Sequence, residues 1–535
     1  MAVHWGGVAG MIVFYLIILL VGMWASKRTK GGDNPERVMV ARRDIGWFVG
    51  FFTLVATWVG GGYINGTAEK VFRPGGGLLW TQAPIGYSLS FAVNGLFFTR
   101  KMRASNYVTM IDPFQIKYGS RFGGLLFVVA LLGELLWCAT ILAALGSSIA
   151  VILELDQNLA VIISACIAAV YTLFGGLYSV AYTDIVQLIL IFIGLWLAVP
   201  FAMTHEAVVP ISETKDEWLG EWDNKLVGVW LDNWMLLIFG GVPWQAYYQR
   251  ALAAKTPDLA VKLSYAATIG CLVMAIPAVI FGAVGSSTDW EMTNVNLNKT
   301  DPYEDASLVL PLIMQFLTPP FIAFMGLGAI SAATMSSTDS SVLSSSSMFV
   351  RNIYSTIFRP KASDKEIIWV LRCTILVVTA IATILALTLK SIYTLFVLCS
   401  DLVYVILFPQ LICVVHVPKA NTYGLIPGLI IGLILRLGGG EEAIGMPHFI
   451  RYPFYDDDYG QLFPFRSLAM LVSLITTLVF SYGVALLFEK GYVSEKWDIF
   501  ECFHVDDENE KNENHPAVKY ELQGPENKNE SDKFL

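Results

Sequence analysis

Three consecutive glycines, Gly60, Gly61 and Gly62, lie near the middle of an apolar segment, residues 46–71, that is long enough to cross a membrane. Each glycine destabilises a helix by about 1 kcal/mol relative to alanine. Backbone that leaves the helical path inside a bilayer is tolerated only where protein or a water-filled cavity surrounds it. The run therefore predicts a broken helix that lines a cavity, with Trp58 just before the break. The alternative is a glycine-rich face for close helix packing.

The composition is that of a polytopic membrane protein. Of the 535 residues, 55% are hydrophobic and only 15% are charged, whereas about 25% of the residues in a soluble domain are charged. The net charge of -9 is unevenly distributed, because residues 506–515 form an acidic, polar segment without aromatic residues. We expect that tail to be disordered. Nothing in the charge pattern indicates nucleic-acid binding, and no metal-ligand spacing, nucleophile–base pair or cofactor motif indicates an enzyme.

Apolar stretches of spanning length predict about thirteen transmembrane helices. They lie at residues 7–26, 46–71, 78–99, 123–153, 158–178, 182–203, 226–246, 262–284, 319–349, 366–389, 391–416, 422–439 and 466–488. Basic residues cluster after the first, third, seventh and ninth spans, and these loops share one side of the membrane if the count holds. By the positive-inside rule that side is cytoplasmic. The N-terminus is then outside and the C-terminal tail inside.

A glycosylation acceptor, Asn298-Lys-Thr300, lies in the loop 285–318, which is outside by the same charge count. Two independent patterns therefore agree on the orientation. The same acceptor pattern at Asn65 falls inside a span, and that at Asn529 falls in the cytoplasmic tail. We expect Asn298 alone to be glycosylated.

A second interruption lies in the seventh span, where Gly240 and Gly241 precede Pro243. Proline cannot donate the helical hydrogen bond. Spans two to six and seven to eleven would then be two five-helix halves of opposite orientation, each with a broken first helix. Matching Gly/Pro breaks in two inverted halves indicate the substrate site of a secondary transporter.

Aromatic side chains cluster around these two breaks in the sequence. Trp58 and Trp244 flank the breaks, while Tyr87 and Trp137 lie in spans three and four. Aromatic faces attract cations, above all quaternary ammonium groups. The alternative is that membrane tryptophans are interfacial anchors, which fits Trp58 and Trp244 poorly because both lie beside mid-membrane breaks.

The ninth span is rich in hydroxyl groups. Ser336 and Ser337 lie three and four residues after Ala333 and return to its helix face. Hydroxyl and carbonyl oxygens are hard ligands that suit an alkali cation. The alternative is that these hydroxyls bond to their own helix. Asp339 and Asp184 are intramembrane carboxylates, which are functional candidates by default.

Four further acidic residues lie in or near spans: Glu69, Glu134, Asp232 and Asp401. We interpret each as a solvated span end.

Five stretches carry a resemblance to a known family: Thr57-Trp-Val-Gly-Gly-Gly-Tyr-Ile-Asn-Gly-Thr-Ala-Glu69, Gln82-Ala-Pro-Ile-Gly-Tyr-Ser-Leu-Ser90, Gly175-Gly-Leu-Tyr-Ser-Val-Ala-Tyr-Thr-Asp184, Pro243-Trp-Gln-Ala-Tyr247 and Ala333-Thr-Met-Ser-Ser337. They resemble the sodium:solute symporter family, and within it the members that carry choline. The likeness extends from about residue 10 to about residue 500.

The resemblance implies an all-α, LeuT-like fold with two inverted five-helix repeats and an additional N-terminal helix. It implies Na⁺-driven, Cl⁻-dependent choline uptake across the plasma membrane of presynaptic terminals, with a pool in synaptic vesicle membranes, to supply acetylcholine synthesis. Besides the lipid bilayer, the expected partners are choline, sodium and chloride. The family's choline-carrying members have a dileucine-type trafficking signal in the tail, and this chain has no clear copy after Cys502.

Carried over residue by residue, the resemblance also implies binding sites. The choline cage would be Trp58, Tyr87, Trp137 and Trp244. The common sodium site would use the carbonyls of Ala56, Val59 and Ala333 with the side chains of Ser336 and Ser337. A second sodium, as in some members, would lie near Ser336, Asp184, Asp339 and Ser340, although Asp339 stands where the family usually has a hydroxyl.

The expected organisation has four parts. Residues 1–45 form the additional helix and a cytoplasmic loop, 46–417 the inverted-repeat core, 418–490 two C-terminal transmembrane helices, and 491–535 the disordered acidic tail. The expected mechanism is alternating access. Two alternative functions are a symporter of the same fold for another small organic solute, and a choline or ion sensor that signals through the tail.

Overall fold

The computed structural model describes residues 5–28, 39–174, 177–293, 295, 305–389 and 391–503. In this part of the chain the regular structure is helical, and β-structure is limited to isolated bridges. Asn298 and the tail from residue 504 onwards lie outside the described residues. The glycosylation and the tail disorder therefore stay predictions.

In chain order, the helices up to the second break are α1 (Trp5–Arg28), α2 (Trp47–Trp58), α3 (Gly61–Phe72), α4 (Ala83–Phe97), α5 (Thr99–Ala104), α6 (Asp112–Tyr118), α7 (Ser120–Leu153), α8 (Gln157–Phe174), α9 (Leu177–Met203), α10 (Lys215–Trp218) and α11 (Val227–Gly240). After it come α12 (Gln245–Ala253), α13 (Pro257–Ser286), α14 (Val309–Phe316), α15 (Pro320–Met348), α16 (Asp364–Thr388), α17 (Ile392–Leu398), α18 (Phe408–His416), α19 (Thr422–Gly438) and α20 (Phe465–Glu489). Two segments are π-helical. Phe349–Phe358 continues α15, and Val403–Leu407 directly precedes α18.

Eight helices among the described residues are long and apolar enough to cross a membrane, and the bent pair α2–α3 makes a ninth. The four other predicted spans correspond to α1, α4, α8 and α19. The apolar runs of α1, α8 and α19 are shorter than 18 residues, and α4 itself has 15 residues. The count of thirteen therefore stays a prediction.

The predicted break at the glycine run lies between α2 and α3, whose axes differ in direction by 45°. Gly60 has an extended backbone, and a Cβ on it would overlap the side chain of Ser337. A Cβ on Gly61 would approach Ala144 to 2.6 Å. The two interpretations of the glycine run are therefore both correct, because the chain breaks here and also packs closely against α7 and α15.

The second predicted break separates α11 from α12. Gly240 packs against the Ser400 backbone, where an added Cβ would lie 2.7 Å from the carbonyl oxygen. Beyond α12, a parallel bridge joins Ile45 to Ala254. The Ile45 N–H donates to the Ala253 carbonyl at 3.1 Å, and the Lys255 N–H donates to the Ile45 carbonyl at 3.1 Å. The start of α2 and the end of α12 are thus hydrogen-bonded to each other.

The central helix of the molecule is α15, in which every residue from 326 to 348 is buried. It packs against α1, α7 and α9. Small side chains such as glycine, alanine and serine allow such close helix packing. Because this helix is surrounded by protein, its hydroxyl groups face other helices and not lipid.

A buried ion cluster joins the last helices to the rest of the fold. Arg436 on α19 donates to Asp401 at 2.5 Å and to Glu441 at 2.6 Å. Arg466 at the start of α20 donates to the same two carboxylates at 3.2 and 2.7 Å. Asp232 on α11 accepts two backbone N–H groups at the start of α20. The cluster therefore links α11 and the segment after α17 to α19 and α20.

Candidate functional site

Three of the predicted aromatic residues form one compact cluster beside the two helix breaks. Trp58 is the last residue of α2, Trp137 lies on α7, and Trp244 directly precedes α12. The ring centroid of Trp58 lies 5.9 Å from that of Trp137 and 6.1 Å from that of Trp244, and the last two are 6.1 Å apart. All three side chains are buried.

Tyr87 joins this cluster through a residue that the sequence did not indicate. The Phe396 ring on α17 lies 4.7 Å from the ring of Tyr87 and 5.3 Å from that of Trp137, centroid to centroid. The Tyr87 hydroxyl donates to the Phe396 carbonyl at 2.6 Å. Phe91 lies 4.9 Å from Trp58 by the same measure. Helical periodicity could have predicted Phe91, which is one turn after Tyr87, but no sequence pattern indicates Phe396.

This arrangement can attract a cation. A cation within about 6 Å of a ring centroid is drawn to the face of the ring, most strongly to tryptophan. The three tryptophan ring centroids are 5.9–6.1 Å apart. A single cation at the cluster is therefore near several rings at once. The indole N–H groups of Trp58, Trp137 and Trp244 have no hydrogen-bond partner among the described residues. They are available to an acceptor on a bound molecule.

Three of the five residues expected at the common sodium site lie together: Ala56, Ala333 and Ser337. The Ser337 hydroxyl donates to the carbonyl of Ala56 at 3.3 Å. The Ala333 carbonyl faces the break, because a Cβ on Gly60 would lie 3.6 Å from it. Val59 directly follows α2 and has a non-helical ψ of 66°. Oxygen atoms from both the break and α15 therefore meet at one place.

The residues expected around a second sodium each form hydrogen bonds with different partners. Asp184 accepts hydrogen bonds from Ser336 and Thr53, each at 2.5 Å. Asp339 accepts from Thr172 at 2.6 Å. Ser340 accepts from Arg250 at 2.5 Å.

The sequence did not indicate three of these partners, Thr53, Thr172 and Arg250. A charged side chain in a membrane segment is a functional candidate by default, so Arg250 could have been found.

The prediction of solvated span ends is wrong for Glu69, Glu134, Asp232 and Asp401, because each is at most 6% exposed. Glu69 on α3 caps α17, where it accepts the backbone N–H of Ile392 at 2.9 Å. Glu134 accepts from a serine hydroxyl on α15 at 3.3 Å. Their partners come from distant parts of the chain, which the local sequence does not show.

Comparison with known proteins decides the family. The model of the sodium:solute symporter family matches residues 39–432. The chain belongs to the sodium:solute symporter family. This symporter is therefore a multi-pass membrane transporter and not an enzyme, as the sequence predicted.

Several curated proteins are similar to this symporter over most of its length. The human high affinity choline transporter 1 is 54% identical, over 94% of this chain and 89% of that protein. The high-affinity choline transporter 1 of Drosophila melanogaster is 52% identical, over 93% of this chain and 81% of that protein. The osmoregulated proline transporter OpuE of Bacillus subtilis is 25% identical, over 71% of this chain and 77% of that protein.

Solved structures confirm the fold of the symporter. A Na⁺-coupled sialic acid symporter in a substrate-bound, outward-open state has a TM-score of 0.71 at 17% identity, covering 89% of this chain and 98% of that one. Mhp1, a nucleobase-cation-symport-1 family transporter, has a TM-score of 0.53 at 16% identity, covering 87% of this chain and 97% of that one. The predicted all-α, LeuT-like fold is confirmed.

Proposed function

We propose that this symporter uses the sodium gradient to carry choline into the cell. The observation that carries the proposal is the cluster of Trp58, Trp137 and Trp244 between the two helix breaks. The trimethylammonium group of choline has no N–H to donate, so aromatic faces must supply most of its attraction. The similarity to proteins named choline transporters supports the same substrate.

In this proposal Tyr87 completes the choline cage. The carbonyls of Ala56, Val59 and Ala333 and the side chains of Ser336 and Ser337 bind one sodium ion. Asp184, Asp339 and Ser340 bind a second. The hydrogen bond between Ser337 and Ala56 supports the first site, because it brings a hydroxyl of α15 to a carbonyl beside the break.

Both transported species are cations. An interior that is negative by 100 mV favours entry of each by about 2.3 kcal/mol. Each sodium ion also contributes its concentration gradient, so sodium coupling allows accumulation of choline against a gradient. Alternating access of a site at the two breaks, with chloride as a required ion, completes the cycle that we propose.

We further propose that the symporter acts in the plasma membrane of presynaptic terminals and is also stored in synaptic vesicle membranes. Its N-terminus lies outside and its C-terminus in the cytoplasm. Choline uptake there supplies acetylcholine synthesis. The basic loops and the acceptor at Asn298 support this orientation.

Uptake of radiolabelled choline into proteoliposomes tests the proposal. With an inward sodium gradient and an interior-negative potential, we expect accumulation that is lost when potassium replaces sodium outside. Replacement of chloride by gluconate should reduce the rate. Liposomes without protein give the background. Uptake that is equal without sodium contradicts the proposal, and so does competition by proline or glucose that equals that of unlabelled choline.

A further inference from the structure

Arg250 on α12 is a buried cation that lies among the residues proposed for the second sodium. Its Nη2 atom donates to the Ser340 hydroxyl at 2.5 Å. The same atom lies 4.0 Å from Oδ2 of Asp184, and the two side chains are 1% and 0% exposed. The guanidinium group is therefore next to two of the oxygen-bearing side chains that a second sodium ion would need.

The contacts of Arg250 are incomplete for a buried arginine. Arginine typically binds a carboxylate through two parallel hydrogen bonds. Here Nη1 reaches only neighbours on its own helix, Gln249 at 3.0 Å and Ala246 at 3.4 Å, and Nε has no partner among the described residues. Arg436, in contrast, contacts both Asp401 and a second carboxylate at hydrogen-bond distance. Arg250 is thus held less tightly than the arginine of the ion cluster.

In the part of the chain that the structure describes, acidic side chains close to this site have unpaired oxygen atoms. Arg250 interacts electrostatically with Asp184 and Glu134, and Asp184 interacts with Asp339. One oxygen of Glu134 and one of Asp339 have no hydrogen-bond partner among the described residues. These two oxygen atoms are therefore available to a cation that enters the site.

We propose that the Arg250 side chain occupies the second cation site in the sodium-free protein, and that sodium binding at Asp184 and Ser340 displaces it. This inference rests on the proposed sodium coupling. Two cations cannot share one set of oxygen ligands, so the guanidinium group and sodium compete. The competition lowers the affinity for sodium and keeps the charge of the site balanced when the ion has left.

The displacement also connects the ion to a broken helix. While Arg250 is bound to Ser340, α12 is attached to α15, and the pair with Asp184 attaches it to α9. Sodium that takes over these oxygens removes both of these polar contacts. The helix segment that follows Trp244 is then held less firmly to α15 and α9 after the ion binds.

Equilibrium binding of radioactive sodium to the purified full-length protein in lipid nanodiscs, without choline, tests the inference. We expect Arg250→Gln to lower the sodium concentration for half-saturation by roughly tenfold, because a competing charge is removed. Arg250→Lys, which keeps a cation, should stay much closer to the wild type. Arg103→Gln is the matched control. Arg103 is also buried, and it donates to the Ala254 carbonyl just beyond α12 at 2.8 Å. We expect it to leave sodium binding unchanged.

The outcomes separate this inference from the proposed function. If Arg250→Gln is monodisperse and binds sodium no more tightly than the wild type, displacement is overturned while sodium coupling stands. If wild-type protein binds no sodium and carries choline without it, both are overturned.

A measurement on the wild type needs no variant. Sodium should increase hydrogen–deuterium exchange in α12, because the contact to Ser340 is lost. Exchange in α12 that is unchanged or reduced by sodium overturns the inference.

Discussion

Trp244 is held in an extended backbone conformation, with φ -119° and ψ 121°, immediately before α12. Its ring lies 6.1 Å from those of both Trp58 and Trp137. This residue therefore joins the second helix break to the side chains of the first break and of α7. A cationic substrate would be attracted to the face of the Trp244 ring. Substitution by leucine removes this aromatic face but keeps an apolar side chain.

We expect Trp244→Leu to weaken choline binding by roughly thirtyfold, because a desolvated cation–π contact contributes about 2 kcal/mol. Trp58→Leu should have a similar effect. The Phe variants should lose less, since phenylalanine keeps a weaker aromatic face. The measurement is the dissociation constant of radiolabelled choline at saturating sodium.

A control for this experiment is Trp218→Leu, in the short helix α10, where the indole N–H donates to the Ile211 carbonyl at 2.8 Å. It should bind choline as the wild type does. If the Leu and Phe variants at Trp58 and Trp244 are equally impaired, shape and not cation–π attraction determines the affinity.

At the scale of helices, the break between α2 and α3 depends on the closeness of α15. A Cβ at position 60 would overlap the Ser337 side chain. Gly60→Ala must therefore separate the two elements that carry the proposed sodium ligands. We expect a large rise in the sodium concentration needed for half-maximal uptake, or loss of the folded protein from the membrane. Surface biotinylation together with uptake measures both.

Combining Gly60→Ala with Ser337→Gly removes the side chain that collides. Surface expression should then recover, while the sodium requirement stays high because a hydroxyl ligand is missing. Gly483→Ala is the matched control, because nothing lies within 4 Å of the added Cβ on α20. Normal sodium dependence of Gly60→Ala would show that the proposed first sodium site is elsewhere.

The ion cluster around Arg436 acts on the stability of the last two helices. Arg436→Met leaves two carboxylates, Asp401 and Glu441, with one of their two arginines. Removal of one partner of a buried pair typically destabilises by about 3–5 kcal/mol. We expect a clear drop in the thermal unfolding temperature in detergent, measured by size-exclusion chromatography after heating.

The control for this variant is Arg100→Met. Arg100 pairs with Asp258 at the surface, where the side chains are 70% and 67% exposed. Exposed pairs contribute about 0–1 kcal/mol, so its unfolding temperature should hardly change. Equal shifts in the two variants would contradict a special role for burial.

At the scale of the whole molecule, the sequence predicted those features that depend on residues close together in the chain. The glycine run predicted the first break, and tryptophans beside two breaks predicted one cluster, because broken membrane helices need a protein-lined cavity. Phe396 and the burial of Asp401 could not be predicted. Their partners, Tyr87 and Arg436, come from other helices, and only the tertiary packing brings them together.

The orientation in the membrane has its own test. We expect Asn298 to be the glycosylated site, since its loop is outside by the distribution of basic residues. Treatment of expressed protein with a glycosidase should increase its electrophoretic mobility, and Asn298→Gln should already have the faster mobility. A shift that persists in Asn298→Gln would contradict both the site and the orientation.

The bridge between Ile45 and Ala254 has a mechanical consequence. Two hydrogen bonds of 3.1 Å join the segment that enters α2 to the segment that leaves α12. Because the two segments are joined in this way, we expect a tilt of α2 to carry the end of α12 with it. In the alternating-access cycle that we propose, we therefore expect the two broken helices to move together at this end.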